Sequence, residues 1–205
     1  MTYEEFYGDK LPKMKQTEQD LLAMVHAYAE SFEKDGIKPI VYSCSRLKSP
    51  ESVLRKCGVQ GLQPSVTAAF ENLFDMVGVR VVCAFASDVY HLAEWLRQQP
   101  GIRIFREKDY YEYPKPNGYR SFHIQMYDAR SGMPAEIQLR TIATDFWATL
   151  EHQLKYKKCI ANEKMIRDEL KRCADEIASV DISMQTIREI IAESDFPTEQ
   201  AELGA

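Results

Sequence analysis

Residues 74–85, FDMVGVRVVCAF, decide the fold of this chain. From residue 77 onward the side chains are nearly all apolar and rich in β-branching, which is typical of a strand buried in a sheet. Arg80 lies inside this run, and a lone guanidinium in an apolar strand is costly unless a partner neutralises it. Asp75 comes just before the run. We therefore predict a strand over 77–85 that has one charge inside it and one charge before it.

Four other segments are predicted to be strands and six to be helices. The predicted strands are 40–44, 102–106, 119–127 and 135–140. The helices are predicted from Thr17 to Asp35-Gly36, from Ser49-Pro50, over 65–74, over 88–99 after a Ser87 cap, over 142–158 and over 160–193. This order predicts an α+β fold, in which a mixed β-sheet of about five strands is flanked by helices.

The last predicted helix carries an apolar heptad seam, and the first carries an apolar stripe. The seam consists of Ile166, Leu170, Cys173, Ile177, Val180, Met184, Ile187 and Ile191, and the stripe of Leu21, Val25, Tyr28 and Phe32. Such a seam packs on another helix, of this chain or of another subunit, and favours an oligomer. We divide the chain into N-terminal helices (1–36), a core (37–158) and a C-terminal helix (159–205) for oligomerisation.

Composition excludes several classes of protein. The chain has 205 residues, with 26 Lys and Arg against 31 Asp and Glu, a formal charge of −5. No apolar stretch is long enough for a transmembrane helix, and the N-terminus does not resemble a secretory signal. The five cysteines are widely spaced, which argues against a disulfide framework or a zinc site. We expect a cytoplasmic protein without a general DNA-binding surface.

The strand predicted over 135–140 has one polar face. Glu136, Gln138 and Arg140 alternate with Ile137 and Leu139, so a carboxylate, an amide and a guanidinium share the side away from the core. Together with the aspartate before the central strand, Glu136 is suited to hold Mg²⁺ and to take a proton from an attacking hydroxyl. A solvated strand face with a loop aspartate remains the alternative.

Cations and tyrosines cluster in two segments. The first contains Arg46, Lys48 and Lys56; the second contains Arg106, Lys108, Lys115, Arg120, Tyr110, Tyr111, Tyr113 and Tyr119. This combination suits triphosphates and a stacked base. Surface cations balanced by nearby acidic residues are the alternative, and a structural ion pair is the alternative for the arginine in the central strand.

The segment 114–124, PKPNGYRSFHI, places His123 near Lys115 and Asn117. These neighbours favour phosphate contact, although a lone strand histidine is more often structural. The PNG turn brings a backbone close to a ligand or forms a plain hairpin turn. P-loop, GxGxxG and protein-kinase motifs are missing from the sequence.

Five blocks then occur in one order over roughly residues 40–158. They are SRLKSPESVLRK, FDMVGVRVVC, KDYYEYPKPNGYRSFHIQMY, AEIQLRT and FWATLEHQLKYK. Together they resemble the synthetase domain of the RelA/SpoT family, and the chain length resembles its small alarmone synthetases of the RelQ-like type. The resemblance implies a nucleotidyltransferase-like fold. It also implies a stringent-response pyrophosphokinase that uses Mg²⁺ to transfer the β,γ-pyrophosphate of ATP to the ribose 3′-hydroxyl of GDP or GTP.

The resemblance also implies roles for single residues. Asp75 and Glu136 would hold the metal, and Glu136 would act as the base. Arg46 and Arg80 would sandwich the adenine at the sheet edge. The ATP phosphates would be bound by Lys48, Ser52 and Lys56. The GDP or GTP side would use Arg106, Lys115, Asn117, Tyr119, His123 and Gln138, with the tyrosine stacked on guanine. Glu151 and His152 match the family's Glu-His pair, to which we assign no definite role.

Members of the RelQ-like type are homotetramers with a central cleft in which bound alarmone activates the enzyme. A Thr and an Asn line that cleft in the members that this chain resembles, and Cys44 and Asp145 occupy the matching positions. Because an aspartate repels a polyphosphate, we expect weak or absent activation by alarmone. Two other functions stay open: a toxin-type relative that pyrophosphorylates the 3′ end of tRNA, and an oligomer that binds nucleotide or single-stranded RNA without catalysis.

Overall fold

A five-stranded mixed sheet forms the centre of the computed structural model, which describes residues 1–33, 38–155 and 162–194. The strands are β1 (Ile40–Leu47), β2 (Val77–Cys83), β3 (Ile102–Asp109), β4 (Phe122–Asp128) and β5 (Pro134–Thr141). Their order across the sheet is β1-β2-β5-β4-β3. The β2–β5 pair is parallel and the other three pairs are antiparallel. The predicted α+β class and mixed five-stranded sheet are therefore confirmed.

Helices flank this sheet. They are α1 (Tyr3–Tyr7), α2 (Lys10–Ser31), α3 (Pro50–Val59), α4 (Val66–Asn72), α5 (Ala86–Arg97), α6 (Ile142–Lys155) and α7 (Glu163–Ser194). Ser49 caps α3 with its side chain, as predicted from the Ser-Pro pair. The predicted helix end at Asp35-Gly36 and the segments 156–158 and 160–161 lie outside the described residues.

Three predicted starts are wrong, two of them because the side chain that resembles a helix cap makes a tertiary contact instead. The first long helix begins at Lys10, and Thr17 is buried inside it, where its hydroxyl donates to Asp128 Oδ2 at 2.9 Å. Ser87 lies within α5 rather than before it, and its hydroxyl donates to Gln185 Oε1. The strand expected over 119–127 begins only at Phe122.

One face of the sheet builds the hydrophobic core. Alternate residues of β2 and β5, such as Val79 and Ile137, are almost fully buried against α2 and α5. Three residues of the predicted N-terminal stripe reach this core, whereas Phe32 is 52% exposed. Burying one such aliphatic side chain stabilises the fold by about 1.5–3 kcal/mol. Packing on one face leaves the opposite face of the sheet for polar side chains.

The heptad seam of α7 divides into two halves. In the first half, Leu170 and Ile177 are partly buried against α6, and Trp147 Nε1 donates to the Leu170 carbonyl at 2.8 Å. The second half consists of Val180, Met184, Ile187 and Ile191, which are 49–60% exposed. Across residues 1–33, 38–155 and 162–194, we find no helix with the length and apolar character that spanning a membrane requires.

The PNG turn packs against α7. Gly118 has a φ of +88°, and a Cβ added there would lie 2.5 Å from the Cβ of Ala174. The close backbone approach that the sequence suggests at this turn is therefore present, and the group that the turn approaches is helix α7 of the same chain.

We predict that Gly118→Ala lowers the free energy of unfolding by about 2 kcal/mol or more, because it adds overpacking to an unfavourable φ. Urea denaturation measures this loss. Gly132→Ala is the matched control, since Gly132 has a φ of +69° with no atom within 4 Å of its added Cβ. Equal losses in the two variants would show that contact with α7 contributes nothing.

Candidate active site

The strand register arranges polar residues in rows across the open face of the sheet. The first row runs from β1 to β3 through Arg46, Gly78, Glu136, Gln125 and Arg106. The second row runs in the same direction through Cys44, Arg80, Gln138, His123 and Lys108. Residues that pair directly on neighbouring strands share a face. Five segments distant in sequence therefore contribute to one polar surface.

A cavity of about 520 Å³ opens on this surface, with the sheet as its floor and α6 as part of its wall. Three carboxylates reach it from different elements, Asp75 from the loop before β2, Glu136 from β5 and Glu151 from α6. The other polar groups that line it include Arg46, Arg80, Lys115, Tyr119, His123, Gln138 and Arg140. Its size is within the range of small-molecule sites.

Asp75 is held by two lysines. Lys48 Nζ lies 2.6 Å from one carboxylate oxygen and Lys56 Nζ lies 2.8 Å from the other. Burial alone would raise the pKa of Asp75, but the hydrogen bonds from both lysines outweigh it and the pKa lies below its ordinary value. The three side chains thus form a compact charge cluster at one end of the cavity.

Glu136 accepts three contacts from the polar face. Gln125 Nε2 donates to it at 3.0 Å, Gln138 Nε2 donates at 2.8 Å, and His123 Nδ1 lies 3.4 Å away. Burial alone would raise the pKa of Glu136, but contact with the histidine and the two amides outweighs it and lowers the pKa to about 2. The carboxylate is therefore ionised and oriented before any ligand enters.

Tyr119 stands among cations at the other end of the cavity. Its hydroxyl lies 2.8 Å from His123 Nε2 and accepts a hydrogen bond from Arg140 Nη2 at 3.0 Å. Lys115 Nζ lies 4.7 Å from the centre of its ring. Burial lowers the pKa of Lys115, and the nearby charge of Lys108 lowers it further. An aromatic face beside several cations is suited to a base with an attached polyphosphate.

Arg80 makes the ion pair that its apolar strand demands. Its Nη1 lies 3.3 Å from Asp145 Oδ1, and the same oxygen accepts a hydrogen bond from Arg140 Nη1 at 2.8 Å. Arg80 therefore has a structural ion pair and also lines the cavity. Its predicted place at the sheet edge is wrong: β2 is the second strand, since β1 pairs on its outer side.

Comparison with known proteins agrees with this geometry. Residues 45–161 match the model of the region found in RelA and SpoT proteins, which is more than half of the chain. The chain belongs to the RelA/SpoT family. GTP pyrophosphokinase YwaC of Bacillus subtilis (strain 168) is 40% identical over 159 residues, covering 75% of this chain and 76% of the relative.

Solved structures of RelA/SpoT-type synthetases share the fold. Small alarmone synthetase 2 from Bacillus subtilis superposes with a TM-score of 0.78 and 34% identity, covering 89% of this chain and 98% of that one. Small alarmone synthetase 1 from the same organism, bound to its product pppGpp, has a TM-score of 0.77 and 28% identity, covering 87% and 94%.

Most residues expected from the RelA/SpoT resemblance converge on the cavity, directly or through the lysine pairs of Asp75. Three stand apart from both the lining and these lysine pairs. Arg106 is exposed in the first row, Ser52 lies within α3 where Ser49 Oγ donates to its hydroxyl, and Asn117 donates to Glu151 Oε1 at 3.0 Å. Their predicted roles in binding stay predictions.

Two contacts were not foreseen from the sequence. The sequence places Arg140 on the polar face without indicating a role for it, although it contacts both Tyr119 and Asp145. Asp145 is only 5% exposed and is paired with two arginines, so it does not present a bare negative charge. This pairing weakens the premise for expecting alarmone repulsion, while weak activation by alarmone stays a prediction.

The low pKa of Glu136 predicts how its contribution to stability varies with pH. A carboxylate with a depressed folded pKa stabilises fully above its ordinary pKa of 4.5, and this stabilisation is lost as the pH falls toward about 2. Glu136→Gln, which resembles the protonated form, should be less stable by up to about 3 kcal/mol at pH 6.

Urea denaturation of both proteins between pH 6 and pH 3 checks this prediction, with the difference between them shrinking as the pH falls. A difference that stays constant over this range would mean that the contacts of the carboxylate do not depend on its charge.

Proposed function

We propose that this protein is a (p)ppGpp synthetase, which transfers pyrophosphate from ATP to the 3′-hydroxyl of GDP or GTP. The single observation that supports this most strongly is the convergence of Asp75, Glu136, Arg80 and Tyr119 on one cavity. Each comes from a different segment of a RelA/SpoT chain. A relative with 28% identity was solved with pppGpp bound as its product.

The donor ATP is assigned to the end of the cavity near β1 and β2. Arg46 and Arg80 line that end, and planar guanidinium groups stack well on a purine. Lys48 and Lys56 lie nearby on Asp75, where they can move to the phosphates when these enter. Ser52, in the first turn of α3, is proposed to support the same phosphates.

The acceptor GDP or GTP is assigned to the end near Tyr119. Its guanine would stack on the tyrosine ring, with Lys115 and His123 directed at the phosphates. Gln138 lies beside Glu136, where it can hold the ribose. Arg106 and Asn117, which stand outside the lining, are proposed to meet the more distant parts of the acceptor.

Glu136 is proposed to receive the proton of the attacking hydroxyl. The oxygen of the 3′-hydroxyl forms a bond to the β-phosphorus, the bond from that phosphorus to the AMP oxygen breaks, and the proton passes to the carboxylate. A pKa of about 2 makes Glu136 a weak base. Phosphoryl transfer depends more on positioning and charge neutralisation than on base strength, so a weak base at this position is compatible with the reaction.

Mg²⁺ fits the donor set around Asp75 and Glu136. Within residues 1–33, 38–155 and 162–194, no three His, Cys, Asp or Glu side chains converge to hold a metal by themselves. Magnesium is commonly bound by one or two carboxylates together with substrate phosphates, and Asp75 and Glu136 both line this cavity. When bound, the ion would neutralise charge on the transferred group.

Replacement of Glu136 tests the assigned chemistry. We predict that Glu136→Val still folds, although it is less stable than the wild type, and loses at least ~100-fold in turnover, because it removes the base and part of the metal site. The measurement is the rate at which AMP and labelled alarmone form from ATP and GDP or GTP.

Glu107→Gln is the matched control, since Glu107 lies on β3 in an ion pair with Arg97 and outside the cavity lining. Near-normal turnover by the Glu136 variant would contradict its assignment, as would an equal loss in the control.

The tRNA alternative receives little support from the described surface. Of the cations that could track a nucleic acid backbone, Arg167, Lys171 and Arg172 each pair with an acidic neighbour on α7. These ion pairs neutralise the positive charge that would otherwise attract the phosphates of a nucleic acid. The proposed function instead places the protein in the cytoplasm, with its nucleotide substrates.

The exposed second half of the α7 seam is proposed to join subunits into a homotetramer. Ile187→Glu should lower the mass measured by light scattering, because it places a charge in an apolar interface. Thr186→Glu, an exposed neighbour off the seam, should leave the mass unchanged. A wild-type monomer, or equal masses for all three proteins, would refute this interface.

A further inference from the structure

Asp145 occupies a central position between the two nucleotide ends of the cavity. It lies in the first turn of α6 and is 5% exposed. Its Oδ1 accepts a hydrogen bond from Arg140 at 2.8 Å and lies 3.3 Å from Arg80 Nη1. The hydroxyl of Tyr42 donates to its other oxygen. One carboxylate therefore contacts three strands, β1, β2 and β5.

Two arginines converge on this carboxylate. They come from paired strands, because Arg80 lies opposite Gln138 and Arg140 lies two residues further along β5. Like charges this close repel one another unless an anion lies between them. Both Nε atoms are buried without a hydrogen-bond partner in the described part of the chain, so the terminal nitrogens carry the anchoring contacts.

The two arginines belong to different ends of the cavity. Arg80 lines the donor end, whereas Arg140 donates to the Tyr119 hydroxyl and to Gln138 Oε1 at the acceptor end. Asp145 thus contacts one arginine at each end, although its carboxylate reaches neither nucleotide in the proposed arrangement.

We propose that Asp145 is a positioning residue that orients Arg80 for the donor nucleotide and, through Arg140, orients Tyr119 for the acceptor nucleotide. This inference rests on the proposed function for the identity of the two nucleotides. It goes beyond that function because it makes one carboxylate responsible for the geometry of both binding ends.

Binding measurements on Asp145→Ala test the inference. Calorimetry with AMPCPP, an ATP analogue, and separately with GDP should show both dissociation constants raised about tenfold, equivalent to about 1.4 kcal/mol each. Asp145→Asn keeps an oxygen that accepts a hydrogen bond and should recover part of both losses. Unchanged binding of both ligands by either folded variant overturns the proposal.

Asp88→Ala is the matched control. Asp88 is 3% exposed, lies in the first turn of α5 and accepts a hydrogen bond from Arg188 at 2.8 Å, away from the cavity. It should cost stability but leave both dissociation constants within about twofold. If Asp88→Ala and Asp145→Ala weaken ligand binding equally, Asp145 has only a structural role.

A double-mutant cycle separates the effect of Asp145 on donor binding from its effect on acceptor binding. In the Arg80→Ala background, adding Asp145→Ala should leave AMPCPP binding unchanged, because the carboxylate acts on the donor only through Arg80. The same addition should still weaken GDP binding through Arg140. Additive losses for AMPCPP would show that Asp145 does not act on the donor through Arg80. Unchanged GDP binding would show that it does not act on the acceptor through Arg140.

Failure of the proposed function can be distinguished from failure of the proposed role of Asp145. If wild-type protein binds AMPCPP and GDP but forms no alarmone, the synthetase assignment fails while the calorimetric comparison still decides the role of Asp145. If Asp145→Ala does not fold, Asp145→Asn carries the test. In that variant, binding equal to wild type for both ligands overturns the proposal.

Discussion

The parallel pairing of β2 with β5 is the constraint on which the rest of the structure depends. It sets Gly78 beside Glu136 and Arg80 beside Gln138, while Val79 and Ile137 turn together into the core. A shift of one residue would exchange the two faces, burying the charges and exposing the aliphatic side chains. Core packing and the arrangement of the cavity therefore have one cause, the register of these two strands.

Charge compensation explains how one sheet face holds so many ionised groups. The Asp75 carboxylate is neutralised by two lysines, and Asp145 neutralises two arginines. Glu136 is stabilised mainly by dipoles and a histidine. Such groups tolerate partial burial because each has a partner, and they can exchange partners when a polyphosphate enters.

Much of the fold and of the site could be predicted from local patterns, and the rest needed tertiary contacts. Alternation along 135–140 indicated which side of β5 is polar, and the Ser49-Pro50 pair indicated where α3 begins. Thr17 resembled a helix cap, yet its partner is 111 residues away. For Asp145 the sequence indicates only a matching position in the family, because no local pattern shows that two strands direct arginines at it.

The most direct test of the account is to incubate wild-type protein and magnesium with γ-labelled ATP and GDP, GTP or bulk tRNA. The products are then separated by chromatography. For a (p)ppGpp synthetase the label should appear in ppGpp with GDP and in pppGpp with GTP, with AMP released in equal amount. Label found only on tRNA, or no labelled product with any acceptor, would contradict the central claim.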